Sequence, residues 1–181
     1  MEGKKLERGL IHIYTGNGKG KTTSAIGQGV RSAGGGFKVL MAQFLKADDT
    51  GELYSIEKLG PNFQLIRFAS MKKFYSKMNE EERNQVKEEV QKGLETIKTY
   101  LEKEKYNIII MDEIMAVIYN NIIPLDEVLS LVKNKPHDVE IILTGRNAPQ
   151  ELIEVADYVT EMKMIKHPFQ KGIYARKGIE S

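Results

Sequence analysis

The chain has 181 residues, enough for one domain with a real core and little besides. Its 27 basic and 25 acidic side chains nearly cancel, so charge makes no case for nucleic acid or a membrane surface. It holds no cysteine, which excludes disulfides, thiolate metal sites and thiol nucleophiles. The opening MEGKKLERG lacks an apolar run, so neither a signal peptide nor a membrane span is expected, and the cytoplasm is the default location.

In chain order, Leu10 to Tyr14 is mostly apolar and predicts a short buried strand. Gly16, Gly18 and Gly20 interrupt it. Lys21-Thr22-Thr23 then opens a helix with Ile26, Val30 and Ala33 at helical spacing, stopped by Gly34-Gly35-Gly36. Residues 37–44, FKVLMAQF, predict a second strand, 46–62 a charged, turn-rich stretch, and Gln64 to Phe68 a third strand. From Asn79 a long helix sets Val86, Val90, Leu94, Ile97 and Leu101 on one face, with Asn79 and Glu82 spaced as a capping box. Its Glu-Lys surface is a solvated face.

Asn107 to Met111 is continuously apolar, as for a parallel strand covered on both sides, and runs into Asp112-Glu113. A helix over 124–132 with Pro124 in its first turn, a strand over 139–143, a helix over 149–156 and a strand over 158–165 follow. Strands alternating with helices predict an α/β fold. One mainly parallel sheet carries helices on both faces, in a single domain over 1–181. Ligands of such sheets lie beyond the carboxyl ends of the strands, which gathers 16–23, Asp112-Glu113 and Thr144-Gly145-Arg146 on one rim.

Strand, glycine-rich loop, Gly-Lys-Thr and helix together make a phosphate-binding loop. Glycines let successive backbone N–H groups turn inward on phosphate oxygens, and the helix start adds the positive end of its dipole. Lys21 would lie along the phosphate chain, and the Thr22 hydroxyl would bind a magnesium ion. The general pattern has glycine five residues before Gly-Lys-Thr; here that residue is Thr15, and Lys19 adds a cation inside the loop. A glycine-rich turn with no ligand is the plainer alternative, and the flanking strand and helix argue against it. A carboxylate of Asp112-Glu113 can face Thr22 and hold the metal, while one of the two acids caps the helix from Ile114. Arg146 is a candidate for meeting charge on a phosphate chain, yet no residue near these motifs offers itself as a general base.

The chain resembles the ATP:corrinoid adenosyltransferases (cob(I)yrinic acid a,c-diamide adenosyltransferases) over nearly its whole length. The likeness rests on YTGNGKGKTTSAIG at 14–27, QFLK at 43–46 with Gly51-Glu52, IIIMDEI at 108–114, LTGRNAP at 143–149 and ADYVTEMKMIKHPFQKGIYARKGIE at 156–180. Many families share the phosphate loop; the combination is specific, and the missing first glycine is what this family's loop looks like.

The resemblance implies a P-loop NTPase-like enzyme that explains the absent base. Its nucleophile, the cob(I)alamin cobalt, carries no proton; it attacks the C5′ carbon of ATP, and triphosphate leaves as a unit. Asn17, Gly18, Lys19, Gly20, Lys21, Thr22 and Thr23 would grip the triphosphate with Arg146. Lys21 would offset leaving-group charge, and Thr22 with Glu113 would hold Mg2+ or Mn2+, which makes Lys21 and Glu113 the catalytic candidates. ATP would lie reversed relative to ordinary hydrolases. A homodimer and an electron-donor flavoprotein that reduces the corrinoid are also implied. The family strips the ligand beneath cobalt with bulky side chains, often a Phe and a Trp. This chain has no Trp, and within ASMKKFYSKM at 69–78 the candidates are Phe74 and Tyr75, with ordinary packing aromatics as the equal alternative.

His12, inside the first strand, reads as structural, and His167 as structural or at the substrate edge. Lys163, Lys166, Lys171 and Arg176 form a basic edge, facing corrin side chains or simply solvent. Met162 and Met164 share one strand face and are expected in the core. The closing KGIE folds over the nucleotide or serves a dimer. The competing functions are a P-loop phosphotransferase or NTPase giving ADP, and a non-catalytic, nucleotide-dependent corrinoid binder.

Overall fold

The computed structural model describes residues 4–46, 49–70, 73, 75–103 and 105–179. Its strands are β1 (Ile11–Thr15), β2 (Val39–Phe44), β3 (Phe63–Phe68), β4 (Ile108–Asp112), β5 (Glu140–Thr144) and β6 (Tyr158–Glu161). The helices are α1 (Lys21–Gly34), α2 (Gly51–Lys58), α3 (Glu80–Glu102), α4 (Ile114–Tyr119), α5 (Leu125–Lys133) and α6 (Gln150–Val155). All strands are parallel in one sheet of order β3-β2-β4-β5-β1-β6.

Alternation along the strands divides the core in two. Val39, Met41, Phe63, Ile108, Ile110 and Ile142 pack with Ala25 of α1 and Ile56 of α2. The opposite face, with Leu40, Ala42, Phe44, Ile109, Met111 and Leu143, packs against α3, α4, α5 and Leu152 of α6. Each long helix sits close to the sheet at a glycine. A Cβ at Gly29 would lie 2.5 Å from the Phe63 ring, and one at Gly93 2.7 Å from the Phe68 ring. The long helix starts as expected, with Asn79 and Glu82 completing a capping box.

The register places an apolar row across the sheet, Ile66, Ala42, Met111, Leu143 and Ile13. One residue further along the same strands stand Arg67, Gln43, Asp112, Thr144 and Tyr14. The pairing that fills the core therefore also lines up polar groups at the carboxyl ends.

Two expectations are corrected. The turn-rich stretch 46–62 contains α2 and a 3-10 turn over Gly60–Asn62, because Ile56 finds a place under the sheet. The last strand stops at Glu161 and is exposed throughout, as an edge strand with β1 as its neighbour. Met162 and Met164 consequently lie beyond the strand, half-buried and exposed, outside the core. Among the described residues no helix is long and apolar enough to cross a membrane.

Candidate active site

Past β1 the backbone turns at Gly16 and Gly20, with φ of 100° and 126°, values that L side chains rarely adopt. The turn aims the start of α1 at the rim, leaving its first N–H groups without helical partners. Lys21 is buried, and its ammonium donates to the Gly18 carbonyl at 2.9 Å. Burial pulls its pKa below the ordinary lysine value; Glu113 opposes this, and Arg146 and Lys46 reinforce it.

Asp112 ends β4 fully buried. Its Oδ1 accepts from Thr22 Oγ1 at 2.9 Å and Thr144 Oγ1 at 2.6 Å, and its Oδ2 from Gln43 Nε2 at 3.2 Å. The Lys46 ammonium lies 3.3 Å from the same Oδ2. Gln43 is itself fixed, donating to Glu52 Oε1 at 2.9 Å and accepting from Arg67 Nε at 2.9 Å. This network joins β2, β3, β4, α1 and α2 around one carboxylate.

Glu113 is left-handed, at φ 63°, and its N–H donates to Thr144 Oγ1 at 3.0 Å. It occupies the N-cap position of α4 without a side-chain cap, so neither acid serves that helix as a capping side chain. Burial raises the Glu113 pKa above the ordinary glutamate value; Lys46 opposes the rise and Asp112 adds to it. Leu45 after β2, Ala69 after β3 and Asn147 after β5 are also left-handed without being glycine. Backbone strain thus gathers where the strands end, as at functional sites.

The rim opens onto a cavity of about 1010 Å³. Asn17, Gly18, Lys19, Gly20, Lys21, Thr22, Thr23, Glu113 and Arg146 all line it. Lys46 and Glu52 join them, and the opposite wall comes from His167, Phe169, Tyr174 and Ile179 of the C-terminal segment. That segment crosses the loop at close range. Gly18 N–H donates to the Met162 carbonyl at 2.7 Å, and Met164 N–H to Asn17 Oδ1 at 3.0 Å. A Cβ on Gly18 would stand 2.7 Å from that carbonyl, so the crossing requires glycine.

Tyr75 lies elsewhere. It is half-buried against the α3-side core with the Arg83 guanidinium 5.4 Å from its ring, and it is not among the residues lining the cavity. Phe74 lies outside the described residues. His12 bonds Glu140 Oε1 at 2.6 Å, and His167 Nδ1 accepts from Phe169 N–H at 3.2 Å while facing the cavity. Lys46, Gln43 and Asp112 are the site residues that sequence reasoning missed or set aside. The signal for Lys46 and Gln43 was QFLK, where a lysine after a strand looks merely solvated.

The donor set suits a hard cation: a Thr22 hydroxyl beside the carboxylates of Asp112 and Glu113, all oxygens. Among the described residues no group of three or more His, Asp or Glu forms a cage. A magnesium-sized ion completed by phosphate oxygens and water fits such a partial set.

A family model described as ATP:corrinoid adenosyltransferase BtuR/CobO/CobP matches residues 7–181. The chain belongs to this family. The corrinoid adenosyltransferase of Sinorhizobium sp is 37% identical over 187 residues, covering 99% of this chain and 84% of its own. That of Escherichia coli (strain K12) is 34% identical over 175 residues, 96% of this chain and 86% of its own. Corrinoid adenosyltransferase CobA of Salmonella typhimurium (strain LT2) is 33% identical over 175 residues, with 96% and 84% covered. As a corrinoid adenosyltransferase, the chain is a transferase whose family acts on ATP and corrinoids.

Proposed function

We propose that this adenosyltransferase moves the 5′-deoxyadenosyl group of ATP to the cobalt of a reduced corrinoid, cob(I)alamin or cob(I)yrinic acid a,c-diamide, and releases triphosphate. The observation that carries this is a rim rich in cations whose buried carboxylate, Asp112, is already occupied. Lys21, Lys46 and Arg146 converge on the cavity, while Asp112 is occupied by Thr22, Thr144 and Gln43. A phosphoryl transfer to a hydroxyl needs a group to take its proton. A cobalt nucleophile has none: the Co–C bond forms, the C5′–O bond breaks, and its electron pair leaves on triphosphate.

The chain's own residues then have defined tasks. The loop N–H groups from Lys19 to Thr23 hold the triphosphate, the Gly18 N–H being taken by the Met162 carbonyl, and Lys21 and Arg146 stabilise the charge that grows on it. Thr22, Asp112 and Glu113 would hold a divalent ion, Mg2+ or Mn2+, whose positive charge serves the same end. The wall formed by His167, Phe169 and Tyr174 keeps water from the reacting carbon. The enzyme works as a single-domain, cytoplasmic homodimer, with a flavoprotein supplying the reduced corrinoid.

Product analysis with ATP, magnesium and chemically reduced cob(I)alamin tests this. A light-sensitive adenosylated corrinoid should form one-for-one with triphosphate, and Lys21→Ala should lower the rate about 10³-fold or more. ADP and phosphate formed with or without corrinoid would overturn the proposal in favour of a phosphotransferase.

A further inference from the structure

The Lys46 ammonium stands where oxygen donors converge. It lies 3.3 Å from Thr22 Oγ1, 3.3 Å from Asp112 Oδ2 and 3.9 Å from Glu113 Oε1. These are the same groups whose chemistry suits a divalent ion, so the protein's own cation sits among them. The placement is built in. Leu45 turns the chain at φ 55°, packs its side chain against the α3-side core and donates its N–H to the Phe68 carbonyl at 3.3 Å. Lys46 is left with a side chain only 21% exposed, directed at the acids.

We propose that Lys46 is a resident cation that keeps the metal position closed to a bare divalent ion and yields it only when nucleotide phosphates arrive. The inference rests on Thr22, Asp112 and Glu113 being the metal donors. An ion entering alone must displace the ammonium from two carboxylates and then stand beside it, like charge against like. With ATP present, the displaced ammonium has phosphate oxygens as new partners in the same cavity. Metal and nucleotide then raise each other's affinity, a coupling that works in both directions. Lys46 afterwards adds its charge to the leaving triphosphate.

The test is Mn2+ binding to the full chain, followed by electron paramagnetic resonance with and without ATP. Without nucleotide, Lys46→Met should bind Mn2+ about tenfold or more tighter than wild type, because a like charge within about 4 Å is gone. Lys46→Gln, which keeps a polar group among the oxygens, is the second variant with the same expected gain, and Lys46→Arg should stay as weak as wild type. The strengthening of Mn2+ binding by ATP should shrink in the Met and Gln variants. No gain in either neutral variant, or an equal gain in the Arg variant, overturns the role of Lys46. Asp112→Asn, titrated with ATP present, separates the two ideas. If it leaves Mn2+ retention unchanged, the donors are misassigned and both ideas fall; if retention drops while the neutral variants show no gain, only Lys46 falls. Corrinoid takes no part in the measurement, so its outcome is independent of adenosyl transfer.

Discussion

Two regions bound the same cavity by opposite means. The rim at the ends of β1, β4 and β5 is centred on a fully buried carboxylate, Asp112, held by two threonines and a glutamine before any ligand enters. The wall from Met162 to Ile179 is largely exposed and short of regular structure, with Phe169, Ile173, Tyr174 and Ile179 open to solvent. It is tied to the rim by backbone and side-chain bonds from Met162 and Met164 and by an exposed Lys177–Asp49 pair at 3.3 Å. For the proposed reaction, charge stabilisation would demand groups that need no reorganisation when the bond breaks, which a sheet-borne rim provides. Closing over a substrate would demand the reverse, which suits a segment with few buried contacts.

Variants can break this contrast from its strong end to its weak one. Lys21→Ala should show the largest loss of rate with a much smaller change in thermal stability, because burial lowers the pKa of its ammonium and so works against the charged form, offsetting the lost bond to the Gly18 carbonyl. Asp112→Asn should cost about 2–4 kcal/mol in urea unfolding as well as activity, since it alters a fully buried carboxylate with hydroxyl, amide and ammonium partners. An Asp112→Asn protein as stable as wild type would show that the rim is not preorganised as described.

Gly18→Ala should move the C-terminal segment and spare the sheet. The added Cβ meets the Met162 carbonyl, so stability should drop about 1–2 kcal/mol and the KM for ATP should rise. A crystal structure with residues 162–164 undisturbed would refute this.

Glu113→Gln probes electrostatics. The folded protein holds the Glu113 proton more tightly than the unfolded chain does, so rising pH takes it first from the unfolded state. The contribution of Glu113 to nucleotide-free stability is therefore largest in acid and falls as pH climbs from the ordinary glutamate range through its raised pKa. Melting curves across that window should flatten in the Gln variant. Lys177→Ala, at the weak end, should leave stability unchanged, because both partners of its ion pair are exposed. A clear drop in melting temperature would mean the wall is part of the folded core.

Much of this was legible in residue order, for particular reasons. The capping box at Asn79 and Glu82, the five-residue face of α3 and the strand running into Asp112-Glu113 are local patterns, written within a few positions of each other. The glycine-rich loop belongs with them, since a strand, three glycines and a helix start are contiguous. The weakest element was β6: period-two apolarity continues through Met162 and Met164, but with one neighbouring strand the pairing ends at Glu161. Helix α2 was hidden because its charged surface leaves Ile56 as its only buried side chain.

Sequence by itself determined the class of fold, the glycine-rich loop ahead of α1 and the family, because each depends on spacing along the chain. Only the tertiary structure decided that Asp112 is the hub of the rim, that Lys46 stands among the oxygen donors and that Met162 crosses over Gly18. Those contacts join residues 24 to 144 positions apart, or span strands whose order is set by the packing of two core faces. No local preference encodes which distant oxygen a lysine will meet; strand order, register and a left-handed turn at Leu45 do.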